Sequence, residues 1–154
     1  MTAQPNLLPI PRSLKRTGDT LALNGGLIAL QADPAADLWF TGRRIQLALK
    51  VYAGLDYEIV GGANDAALVT VTIGETGHSQ GYRLSIAPGG ISIIGNDPPG
   101  AFYGAATLIQ LLQEYGAALP LLAHGVRPAI VNIGSILGHR GLPFNSEYCA
   151  SKFA

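Results

Sequence analysis

The chain has 154 residues, 48% of them hydrophobic and only 13% charged, with ten basic residues balancing ten acidic ones. That length suits one domain, and the apolar content supplies a core and excludes a disordered chain. A net charge of zero excludes general attraction to nucleic acid or to an anionic membrane, while so few charges leave apolar surface uncovered, through which two copies are expected to pair.

Residues 1–16 contain no long apolar core, and Arg12, Lys15 and Arg16 follow the apolar residues instead of preceding them. That order does not suit a secretory signal. No apolar run approaches the roughly 20 residues that span a bilayer, so a cytoplasmic location is expected. Cys149 is the single cysteine, which excludes an internal disulfide and a cysteine metal site.

Pro5, Pro9 and Pro11 punctuate an extended start. Residues 20–23 and 26–31 favour strands on either side of Asn24-Gly25, a dipeptide suited to positive φ. Asp33 is expected to cap a helix with Pro34 at its first position. Leu38, Ile45, Leu49 and Tyr52 then recur at helical spacing, and Trp39 is expected in the core. Arg43, Arg44 and Lys50 fall mostly on the wet side or near the end of the helix that tolerates positive charge, and the helix ends near Gly54. Residues 57–60 and 67–73 read as strands, and residues 82–86 and 91–94 as a hairpin around Pro88-Gly89-Gly90. Asp97-Pro98-Pro99 starts a second helix over about residues 100–115, with Phe102, Leu108, Ile109 and Leu112 inward. Gly104, Ala105 and Ala106 permit close approach to a sheet.

Pro120 is expected to break that helix. Residues 129–133 form a buried-type strand, residues 134–143 a loop, and a short helix starts near Glu147. The fold class is therefore α+β: a sheet of several mostly antiparallel strands with two main helices on one face, then a C-terminal strand, loop and short helix. Residues 1–119 read as one unit, with residues 120–154 a tail packed on it.

Three segments carry a first resemblance: Leu8-Pro9-Ile10-Pro11-Arg12; the hairpin Gly81-Tyr82-Arg83-Leu84-Ser85-Ile86 with Gly90-Ile91-Ser92-Ile93; and Gly100-Ala101-Phe102-Tyr103-Gly104-Ala105-Ala106-Thr107-Leu108 with Gln110-Leu111-Leu112. In this order they resemble the small domain that precedes the catalytic barrel in family 20 β-N-acetylhexosaminidases, over residues 7–119. The resemblance implies an α+β domain that supports a barrel and performs no chemistry. Catalysis in that family needs an adjacent Asp-Glu pair, and no Asp-Glu dipeptide occurs here. Asp56, Glu58, Asp65, Glu75, Asp97 and Glu114 read as caps and turn residues.

A second resemblance covers residues 128–154. Ile130-Val131-Asn132-Ile133-Gly134-Ser135, Gly141-Leu142-Pro143 and Tyr148-Cys149-Ala150-Ser151-Lys152 look like the catalytic segment of short-chain dehydrogenases. Tyr148 and Lys152 at i and i+4 share a helix face, and an ammonium beside a phenol favours proton exchange near neutral pH. The resemblance places Ser135, Tyr148 and Lys152 in those roles. That family's glycine-rich cofactor turn is missing. Gly61-Gly62 and Gly89-Gly90 lie in hairpin-like turns, not between a strand and a helix.

The expected reading is a non-catalytic accessory domain of hexosaminidase type with a fused dehydrogenase segment, as in a recombined or artificial chimera. The triad match is vestigial, and no cofactor or metal is expected. His78, His124 and His139 read as loop residues without a second ligand at metal spacing. Expected partners are a second copy, paired through exposed apolar surface or through the C-terminal segment, and, in the parent protein, a barrel domain. Two alternatives stand beside it: a residual NAD(P)-binding oxidoreductase fragment, and a carbohydrate-binding module using Trp39 and the tyrosines.

Overall fold

The computed structural model describes residues 5–8 and 11–122. Seven strands form one sheet: β1 (Arg16–Ala22), β2 (Gly26–Gln31), β3 (Tyr57–Gly61), β4 (Val69–Ile73), β5 (Tyr82–Ala87), β6 (Gly90–Gly95) and β7 (Ala118–Leu122). Two helices accompany it among the described residues. The first, α1 (Trp39–Ala48), is entered by a 3-10 turn, Ala35–Leu38, and left by a π turn, Leu49–Ala53; the second is α2 (Pro98–Tyr115). The architecture is α+β, with strand order β1-β7-β5-β6-β4-β2-β3.

Strand direction departs from the mostly antiparallel expectation. The pairs β2–β3, β2–β4 and β4–β6 are parallel, whereas β1–β7, β7–β5 and β5–β6 are antiparallel. Period-2 alternation reports which face a residue takes but not which way its strand runs. Here α1 connects β2 to β3, the kind of crossover that parallel neighbours need.

Side-chain alternation divides the sheet into a dry and a wet face. Ile28, Leu30, Val69, Val71, Ile91 and Ile93 are almost completely buried. They share a core with Leu38, Ile45 and Leu49 from the α1 segment and with Ala101, Ala105, Leu108, Leu111 and Leu112 from α2. Each fully buried aliphatic side chain contributes about 1.5–3 kcal/mol. The intervening residues include the polar, half-buried Gln31, Thr70, Thr72, Arg83, Ser85 and Ser92, together with the apolar Ile94 and the fully buried Ala29. Thr72 donates to Gln31 at 2.8 Å among them.

Small residues set the helix–sheet distance. A Cβ on Gly104 would lie 2.6 Å from Ile93 Cγ2, and one on Gly95 only 2.1 Å from the Ala101 backbone nitrogen. Close approach at Gly104 was the expectation. Asp97 caps α2, accepting from the Gly100 N–H at 2.8 Å. It also accepts from the Gln80 N–H and the Ser79 hydroxyl, tying the preceding loop to the helix start.

The β5–β6 hairpin forms as expected, with Ala87 opposite Gly90. Gly90 has φ 134, and a Cβ there would meet the Leu68 carbonyl at 2.5 Å. Asn24-Gly25, in contrast, makes no hairpin and neither residue has positive φ. The Leu23 N–H donates to the Ala117 carbonyl at 2.8 Å, which leads β1 to β7 and not to β2. Asp33 is not the cap of the first helix: Pro34 holds that position, with no side-chain bond. The helical run does end at Gly54, in the left-handed region at φ 70.

Inside the helices, Leu108 and Leu112 point inward as expected, but Phe102 and Ile109 are only half-buried. Tyr52 and Trp39 are 42% and 54% exposed and so are not core residues. Pro120 does not break α2, which ends at Tyr115 before Gly116 (φ 58). Pro120 instead lies in β7, opposite Thr20. The start of the chain runs beside α2, where Gln110 both accepts from the Leu8 N–H and donates to the Leu8 carbonyl, each at 2.9 Å. Leu7 is buried between these contacts.

Candidate functional site

The α1 segment carries two apolar stripes. Leu38, Ile45, Ala48 and Leu49 face the sheet and are buried. On the opposite side, Phe40, Leu47 and Val51 follow at i, i+7 and i+11, a helical repeat, and are 66%, 61% and 61% exposed. A helix apolar on both sides is normally covered on both sides. Phe40 extends the stripe to α2 by stacking on Phe102, with ring centroids 5.9 Å apart. Phe102 in turn meets Tyr103 edge-on at 6.0 Å.

Two grooves flank this ridge. One, of about 350 Å³, lies between α1 and the approach to β3, with Phe40, Leu47, Leu55 and Tyr57 in its walls. The other, of about 220 Å³, lies between α1 and α2, beside Val51, Tyr52, Ile109 and Gln113. Arg44 and Leu47 border both.

The polar groups around the ridge are held in place. Lys50 binds both carboxylate oxygens of Asp56 at 2.7 Å. Arg43 donates to the Gln46 side-chain carbonyl, and the Gln46 amide donates to the Tyr57 backbone carbonyl at 2.5 Å. Gln113 donates to the Tyr52 hydroxyl at 2.8 Å. Among the described residues, neither Arg43 nor Arg44 meets a carboxylate; the ion pair on this face is Lys50–Asp56. Burial pushes the Tyr57 phenol upward from its usual pKa, and its hydroxyl has no hydrogen-bond partner among the described residues.

Among the described residues, the acidic side chains do not converge. Asp56 is paired with Lys50, Asp97 caps α2, and Glu114 accepts from the Asn6 N–H at 3.1 Å. Glu58, Asp65 and Glu75 are exposed in separate places. Gly61-Gly62 closes β3, and Gly89-Gly90 lies at the β5–β6 turn. Neither sits at the start of a helix. His78 is exposed in a loop, and among the described residues no three His, Cys, Asp or Glu side chains gather as metal ligands. No described helix is long and apolar enough to cross a membrane. Ser135, Tyr148 and Lys152 lie outside the described residues, as do His124, His139 and the strand, loop and helix expected beyond residue 122.

The outward stripe is the feature that sequence reasoning missed. Its signal was present in Phe40, Leu47 and Val51, whose spacing is as helical as that of the inner stripe.

The described residues thus form a two-layer α+β domain whose helix layer carries an exposed apolar stripe. The sequence matches glycosyl hydrolase family 20, domain 2, over residues 4–126, and the chain belongs to that family. No curated protein matches it. Among solved structures, CpGH84D superposes with a TM-score of 0.63 at 16% identity, covering 79% of this chain and 23% of that one. The β-N-acetylhexosaminidase of Bacteroides fragilis gives 0.56 at 20% identity, covering 75% and 23%. The Streptomyces plicatus N-acetyl-β-hexosaminidase gives 0.55 at 22%, covering 82% and 26%. The chain thus spans about a quarter of the length of these structures.

Proposed function

We propose that this chain is the accessory domain of a β-N-acetylhexosaminidase: it cleaves no glycoside itself and packs on a catalytic domain through the outward face of α1 and α2. The observation that carries this reading is the second apolar stripe, Phe40, Leu47 and Val51, on a helix whose other side already fills the core. The family match and the quarter-length superpositions support it, because the related structures contain much more chain for such a face to cover. The sequence supports the absence of cleavage, since hydrolysis in the resembled hexosaminidases needs an adjacent Asp-Glu pair and no Asp-Glu dipeptide occurs in it.

The test is thermal unfolding of the Streptomyces plicatus catalytic domain with and without this chain. The expected result is a higher Tm with the chain and no rise with a Leu47→Asp, Val51→Asp variant, because anything that binds only the native state stabilises it. No rise with the unaltered chain rejects the reading. Assayed alone on a chromogenic N-acetylglucosaminide, the chain is expected to give no turnover.

The dehydrogenase-like segment enters this reading as an inert appendage, since Ser135, Tyr148 and Lys152 resemble a catalytic set whose cofactor turn has no counterpart in the sequence. NADPH fluorescence at millimolar cofactor should be unaffected by the chain; a saturable change would return the oxidoreductase reading to first place.

A further inference from the structure

We infer that the surface seated on α1 is helical and acidic, with carboxylates opposite Arg43 and Arg44. The inference rests on the docking role proposed above and adds the chemistry of the partner.

Shape argues for helices. The exposed side of α1 is a single ridge with a groove on each side, and Leu47 and Arg44 stand on the crest between them. Helices pack by setting the side-chain ridges of one into the grooves of another. A pair of partner helices straddling α1 fills both grooves and covers Phe40, Leu47 and Val51 together. A flat sheet face would rest on the crest and leave the grooves empty.

Charge argues for acid. The chain as a whole is neutral, but this face is not. Lys50 is matched by Asp56, whereas Arg43 and Arg44 have no carboxylate among the described residues. Covering unmatched guanidinium groups with apolar or basic surface is strongly unfavourable, so the cover must supply the counter-charge. Arg43 is also oriented beforehand: its bond to Gln46, itself anchored on the Tyr57 carbonyl, fixes one of its donors and leaves the others for a partner. A second copy of the chain is disfavoured, since it would bring arginines against arginines. An anionic membrane is disfavoured too, because two unmatched cations fall short of the roughly four to eight that recruit acidic lipid.

The experiment measures binding of the full chain to the Streptomyces plicatus catalytic domain, first shown to be folded by its own activity, at low and high salt. The expected result is a complex lost with Leu47→Asp, weakened about tenfold by Arg43→Glu with Arg44→Glu, and weakened by salt. A complex lost with Leu47→Asp but indifferent to both charge reversal and salt overturns the acidic partner and leaves the docking role intact. No complex at all overturns both. Leu47-dependent binding to vesicles of phosphatidylcholine and phosphatidylglycerol, without binding to the catalytic domain, transfers the face to a membrane and likewise overturns the proposal.

Discussion

Tyr82 places its phenol beneath α2, where it is 2% exposed and shares a 2.5 Å hydrogen bond with the Thr107 hydroxyl. Burial raises its pKa from 10.0 to about 12, against the opposing pull of the Thr107 bond. The folded chain therefore holds this proton at a pH where the unfolded chain has released it. The stabilisation is complete below pH 10 and is lost as the pH rises toward 12. At the upper end the loss is about 2–3 kcal/mol. Urea unfolding at successive alkaline pH values should show the decline, and Tyr82→Phe should flatten it. At neutral pH the same substitution should cost about 1 kcal/mol, because Thr107 loses its partner. An equally steep decline in the variant would assign the effect to other groups. Gly104 poses the complementary test of packing. A Cβ there would also come within 3.1 Å of Tyr82 Cδ2, so Gly104→Ala should destabilise by about 1–3 kcal/mol even though alanine is the better helix former. A stabilised variant would show that the α2–sheet contact can open without penalty.

At the scale of elements, what could be read in advance was what depends on near neighbours. The β5–β6 hairpin, the inner stripe of α1, the Asp97 start of α2 and the closure at Gly54 are all fixed by residues a few positions apart. Asp97 is a sensitive case: Asp97→Ala should weaken the fold by about 1–2 kcal/mol, with Asp97→Asn restoring most of it, as chemical denaturation can measure. The elements that escaped reading depend on remote partners. Asn24-Gly25 is a turn dipeptide by local chemistry, but the neighbour that pairs with β1 is β7. Pro120 signals a break wherever an N–H must donate, yet within β7 it is tolerated. The parallel pairings follow from how connections cross the sheet, which side-chain alternation does not encode. The candidate site was half legible for a similar reason. Helical spacing puts Arg43, Arg44 and Lys50 on the exposed side of α1, where they lie, but the same spacing puts Tyr52 inward and does not single out Phe40, Leu47 and Val51, since one good apolar face already satisfies the pattern. Leu47→Asp is therefore expected to change folding stability by no more than about 0.5 kcal/mol, in keeping with its exposure; marked destabilisation would return Leu47 to the core.

For the whole molecule, the outward face sets behaviour in solution. Its apolar stripe favours contact between copies, and Arg43 and Arg44 oppose it. Salt screens the repulsion without weakening apolar contact. The chain should sediment as a monomer at about 0.05 M salt and begin to self-associate near about 1 M, with Leu47→Asp abolishing the change. Association strongest at low salt would reverse the electrostatic argument.

The position of β7 between β1 and β5 has a consequence for biosynthesis. The pairs Arg16↔Leu122 and Ala22↔Ala118 join positions roughly 100 residues apart, so β1 leaves the ribosome long before the one strand it pairs with exists. At translation rates of about 5–20 residues per second the wait is on the order of 5–20 s, during which a bare strand edge can be captured by another chain. The sequence of β1, Arg-Thr-Gly-Asp-Thr-Leu-Ala, is the least apolar of the seven strands. A strand of that composition can wait in water without adhering to its neighbours.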